Sequence, residues 1–134
     1  YHSLRMKQKT LAGEVTLSGK GLHIGKVSTL VIKPAKVNSG YVFVRTDLEN
    51  SPRVRAIADN VNDTSRGTTI TENGVSISTI EHLISALYAL GIDNAELHLD
   101  GPEVPILDGS ARYYIQGIQK VGIVEQEADV EIKT

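Results

Sequence analysis

The chain holds four histidines, His2, His23, His82 and His98, and no cysteine. Metal or acid–base chemistry within it therefore falls to imidazole and carboxylate, and thiolate sites and disulfides are excluded. The pair Glu81–His82 is the arrangement best suited to both tasks. Adjacent residues on a helix point about 100° apart. The two side chains are thus poorly placed to hold one ion together, and well placed for one to bind a metal while the other reaches its water. A helix N-terminus carries partial positive charge, which favours an ionised Glu81 and a neutral His82. Those are the protonation states of a general base and a metal ligand. A purely structural role fits the same residues: Ser78 as N-cap with Glu81 three residues later makes a capping box, with His82 on the helix surface. The dipeptide alone does not choose between them.

The other histidines are less telling. His98 alternates with Leu97 and Leu99, which predicts a solvated strand position beside Glu96 and Asp100. His23 sits in Gly19-Lys20-Gly21-Leu22-His23-Ile24-Gly25, which lacks the Gly-Lys-Ser/Thr ending and following helix of a phosphate loop. The glycines suit a tight, positive-φ connection between strands, and a role for His23 stays open. A catalytic zinc takes three protein ligands and keeps one position for water. No pattern makes His23, His82 and His98 converge, so a zinc site would need ligands from residues outside this chain.

The elements that must position these residues read as strands first and helices later. Thr10 to Leu17, Val27 to Ile32, Tyr41 to Arg45 and Pro52 to Ala58 have strand chemistry, and Pro34 stops the second of these. Thr68 to Glu72 and Val75 to Ser78 flank Asn73-Gly74, a strong hairpin signal. Ile80, Leu83, Ile84, Leu87 and Leu90 then form the apolar stripe of an amphipathic helix ended by Gly91. Asn94 to Asp100 returns to strand, and Gly101 to Gly109 is a proline-punctuated loop in which Glu103 and Asp108 cap or brace the connection. A second helix is predicted from about Ser110 to Lys120, stopping at Gly122. The resulting fold class is α+β: a two-layer sandwich of a mostly antiparallel sheet with two helices on one face. Residues 1–5 read as upstream or added sequence before a start at Met6, residues 6–127 as one domain, and residues 128–134 as a new strand opening a linker or second domain.

Composition narrows the function classes. The chain has 134 residues, is 40% hydrophobic and 22% charged, and carries a net charge of −2. Such a balance offers no basic footprint for nucleic acid. No apolar run approaches the roughly 18 residues of a membrane span, and no leader is evident. A cytoplasmic, non-membrane-spanning protein is expected.

Several separated stretches, in order, resemble the UDP-3-O-acyl-N-acetylglucosamine deacetylases of lipid A biosynthesis. They are the opening Lys7-Gln-Lys-Thr-Leu, the glycine-rich Gly19 to Gly25, Arg45-Thr46-Asp47-Leu48, Asp63-Thr64, and Ile77 to Ser110 (ISTIEHLISALYALGIDNAELHLDGPEVPILDGS). The resemblance runs from Met6 to about Lys133 and implies the first of two similar α+β domains that sandwich an active site. By it, His82 stands where the first-domain zinc ligand stands, with a histidine and an aspartate of the second domain completing the set. Glu81 stands where the general base stands, helping to deprotonate a zinc-bound water that attacks the acetamide. The implied substrate is UDP-3-O-(3-hydroxyacyl)-N-acetylglucosamine, and the products are acetate and the free amine. Asp63 to Thr68 (DTSRGT) matches a loop near the site, so that Arg66 and Gly67 are expected to border the substrate.

The second domain is absent from this sequence, so the chain alone is expected to be inactive and to bind zinc weakly or not at all. In some bacteria the deacetylase is fused to a 3-hydroxyacyl-carrier-protein dehydratase, which would lie downstream. A non-catalytic binding module of the same fold is the alternative, and retention of both Glu81 and His82 argues against it. An RNA-associated domain is the third possibility, disfavoured by the acidic charge.

Overall fold

The computed structural model of the chain describes residues 4–22, 25–64 and 67–132. His23 and Arg66 therefore lie outside the described residues. In order the elements are β1 (Leu4–Leu11), β2 (Val15–Lys20), β3 (Val27–Pro34), β4 (Tyr41–Arg45), β5 (Arg53–Arg55), a 3-10 turn (Ala58–Asn60), β6 (Val61–Thr64), β7 (Gly67–Glu72), β8 (Val75–Ser78), α1 (Glu81–Ala89), β9 (Ala95–Leu99), α2 (Arg112–Val121) and β10 (Ile123–Ile132). This is the expected α+β sandwich, mostly antiparallel, with its strands divided among three sheets: β2-β3-β9-β4-β5, β6-β7-β8 and β1-β10. Only β4 and β9 pair in parallel among the described strands.

Alternation sets the layers. Val15, Ile32, Leu97, Phe43 and Val54 stand opposite one another across the five-stranded sheet, and all are buried. Their outward neighbours include His98, whose Nε2 lies 3.0 Å from Glu96 Oε1, and Arg53, which pairs with Glu96 at 2.9 Å. Pleating puts successive side chains on opposite faces, so one face is apolar and the other solvated. Leu83, Ala86 and Leu87 of α1 and Tyr114 and Ile118 of α2 join the inward residues in one core. The α1 stripe is thus as expected. The helix ends in a Schellman motif: Gly91 at φ +73°, Gly91 N–H on Tyr88 O and Ile92 N–H on Leu87 O, with Ile92 packed into the core.

Some boundaries differ from the sequence reading. Thr10 to Leu17 is not one strand; it breaks at residues 12–14 between β1 and β2, which belong to different sheets. Strand structure near the chain's end starts at Ile123 rather than at residue 128, because β10 pairs with β1 from Leu11↔Ile123 onward. β5 is shorter than predicted, and β6 gave no alternation to detect. The hairpin at Asn73-Gly74 forms, with φ of +54° and +80°, both positive as a type I′ turn requires.

Candidate active site

β8 ends at Ser78 and α1 begins at Glu81, so the change of direction is made by Thr79 and Ile80. Thr79 has φ +62°, a left-handed backbone that a β-branched residue rarely adopts, at a cost on the order of 1–3 kcal/mol. Its surroundings compel it. The N–H groups of Thr79 and Ile80 both donate to the Thr68 carbonyl, at 3.0 and 3.4 Å, and the Thr79 hydroxyl donates to Glu103 Oε2 at 2.8 Å.

The predicted capping box does not form. The N-cap is Ile80, without a side-chain capping bond, and Ser78 stays in its strand with its N–H on the Pro102 carbonyl at 2.9 Å. The left-handed turn moves the helix start beyond Ser78's reach, and the Thr68 carbonyl takes over part of the cap. Glu81 is thereby released from a capping role. Its Oε2 instead accepts the Thr68 N–H at 2.9 Å, across the gap to β7.

Gly67 sits against this carboxylate: a Cβ built there would lie 3.1 Å from Glu81 Oε1, and Gly67 itself has φ +87°. The structure therefore brings together two of the sequence-predicted site residues, Glu81 and Gly67. A groove of about 320 Å³ opens beside them, lined by Ile57, Ile70, Ile80 and Ile84, with Thr68, Glu81 and Ser85 supplying polar groups. His82 is half-buried and not part of that lining. Among the described residues nothing takes the His82 ring in a hydrogen bond or ion pair. Among them, too, no group of three or more His, Cys, Asp and Glu residues is clustered to hold a metal. Among the described residues, the start of α1 thus presents an uncommitted imidazole, His82, next in sequence to a carboxylate that is held in place.

The glycine-rich loop and the proline-rich loop meet next to this turn. Ile106 N–H donates to the Lys20 carbonyl at 3.0 Å, and Cβ atoms at Gly19 would crowd Leu107 and Pro105. Gly25 has the positive φ predicted for that loop, whereas Gly21 is needed for close approach: a Cβ there would lie 2.1 Å from Glu103 Oε1. Glu103 and Asp108 do brace the connection, Asp108 by accepting the Ser110 N–H and hydroxyl. Sequence reasoning missed the Thr68–Glu81 bond and the Thr79–Glu103 pair, since each joins residues far apart in the chain and no local pattern encodes them.

Comparison with known proteins points to one family. The family model described as UDP-3-O-acyl N-acetylglycosamine deacetylase (LpxC) matches residues 8–134. The chain is 55% identical over 123 residues to the bifunctional enzyme LpxC/FabZ of Bacteroides thetaiotaomicron, covering 92% of this chain and 27% of that protein. It is 49% identical over 121 residues to the UDP-3-O-acyl-N-acetylglucosamine deacetylase of Thermosynechococcus vestitus, covering 90% and 42%. With the deacetylase of Myxococcus xanthus it shares 49% identity over 125 residues, covering 93% and 40%. The chain thus spans less than half the length of these relatives. With all but the first residues of β1 inside the matched region, the chain belongs to the UDP-3-O-acyl-N-acetylglucosamine deacetylase family.

Proposed function

We propose that the full-length protein is a cytoplasmic, zinc-dependent amide hydrolase that removes the N-acetyl group from UDP-3-O-(3-hydroxyacyl)-N-acetylglucosamine in lipid A biosynthesis. This chain supplies Glu81 as general base and His82 as one zinc ligand. The remaining ligands come from a second domain outside the chain, so the chain alone is inactive and holds zinc weakly or not at all. The observation that carries this reading is the Glu81 carboxylate, freed from helix capping and fixed by the Thr68 N–H at the lip of a groove.

Bound zinc would supply Lewis acidity, lowering the pKa of a water and polarising the acetamide carbonyl. Glu81 accepts the proton that the attacking water gives up as its oxygen bonds to the carbonyl carbon. The same carboxylate returns that proton to the nitrogen as the C–N bond breaks, leaving acetate and the free amine. Its hydrogen bond with Thr68 restrains the side chain before substrate arrives, which removes a reorganisation cost from the reaction. Gly67, with no side chain, leaves the approach to Glu81 open, and Arg66 beside it borders the substrate.

Two variants of the full-length protein test the assignment. Glu81→Gln should retain zinc and lose on the order of 10²- to 10⁴-fold in turnover, while His82→Ala should lose the metal. Equal zinc content in both variants would show that the roles are misassigned.

A further inference from the structure

We propose that Glu103 is a positioning residue for Glu81: through Thr79 it fixes the turn that starts α1, and through its contact with Gly21 it couples that turn to the glycine-rich loop. The inference rests on the reading of Glu81 as general base. Glu103 is 1% exposed, and a carboxylate taken out of water is tolerated only where hydrogen bonds compensate it. It accepts the buried Thr79 hydroxyl at 2.8 Å.

Its own backbone is stitched to the same place. Glu103 bridges Ser78, whose carbonyl accepts the Val104 N–H at 3.1 Å and whose N–H donates to Pro102 at 2.9 Å. Two residues on, the Tyr114 hydroxyl donates to the Pro105 carbonyl and so anchors the segment to α2. Burial raises the Tyr114 phenol above its ordinary value, which keeps it a donor. Glu103 is therefore a rigid acceptor aimed at the one residue whose left-handed backbone directs Glu81 to Thr68. On its other side the carboxylate fills the space that any side chain at Gly21 would occupy, 2.1 Å from a Cβ built there. A shift of the glycine-rich loop must therefore move Glu103, and a shift of Glu103 must loosen Thr79.

The test uses the full-length protein loaded with zinc. Thr79→Val and Glu103→Met remove the hydrogen bond; Thr79→Ser and Glu103→Gln keep an alcohol donor and an oxygen acceptor. The first two should lower kcat by about 10- to 100-fold, the effect of a misplaced catalytic group. KM should stay within about threefold and the zinc content unchanged, since substrate and metal contacts are untouched. The conservative pair should recover most of the loss, and Gly21→Ala should behave like Glu103→Met. With 15N-threonine labelling, the Thr68 amide resonance should move in Thr79→Val and Glu103→Met and stay in place in Thr79→Ser. Unchanged kcat in Thr79→Val, a Thr79→Ser as impaired as Thr79→Val, or loss of zinc in step with activity would overturn the proposal. Should the unmutated protein show no deacetylation, the reading of Glu81 falls, and the Thr68 resonance still judges the positioning. If Glu103→Met fails to fold, Thr79→Val and Gly21→Ala carry the same decision.

Discussion

The two helices of this domain begin in opposite ways. α2 is prepared locally: Asp108 accepts the Ser110 N–H and hydroxyl and pairs with Arg112, and the Ser110 hydroxyl accepts the Arg112 N–H, all within five residues. α1 is prepared from a distance, by Thr68, Pro102 and Glu103. A local cap consumes the nearby polar side chains. A distant one replaces them with backbone from other elements, leaving Glu81 and His82 in the first turn uncommitted to the helix. The helix start that gives up its own caps is the one that can carry chemistry.

Substitutions should separate the two starts. Glu103→Ala leaves the Thr79 hydroxyl without this acceptor in a buried site and opens a cavity, and should destabilise the full-length protein by about 2–4 kcal/mol in chemical denaturation. Asp108→Ala should cost far less, because its bonds are exposed; comparable losses would erase the contrast. Gly67→Ala falls between them, at about 1 kcal/mol, since it forces a Cβ into a left-handed backbone 3.1 Å from Glu81 Oε1. Its effect on turnover should exceed its effect on stability, as read by kcat beside a melting curve.

The smallest effect concerns pH. The Ser110 hydroxyl, together with the Ser110 N–H and Arg112, holds the Asp108 carboxyl below its ordinary value of 3.8. A depressed folded-state pKa contributes stability above the unfolded value and loses it as pH falls through the folded one. Asp108→Asn should therefore be slightly less stable than the parent at neutral pH, and the two should converge below 3.8. A difference that widens in acid would reverse the sign of this account.

The same contrast explains what could be read in the sequence. The α1 stripe, its Gly91 stop, the Asn73-Gly74 turn and the alternating Ala95-Leu97-Leu99 are local patterns, and each appears in the fold. Ser78-x-x-Glu81 is also a local pattern, and it misled, because a left-handed Thr79 stabilised from 24 residues away overrode the capping preference. Glu81 and His82 were legible as a pair suited to chemistry. Their freedom from helix capping was not, since it depends on Thr68 and Glu103. The β1–β10 pairing escaped for the same reason: neither strand alternates clearly, and each is defined by its partner.

That pairing has a kinetic consequence. Leu11 and Ile123 stand opposite each other although more than a hundred residues separate them. The loop between them must close before any of the ladder's hydrogen bonds form, and long-range closures of this kind slow folding. Until β10 has been synthesised, β1 lacks this partner and presents an unpaired strand edge open to association with another chain.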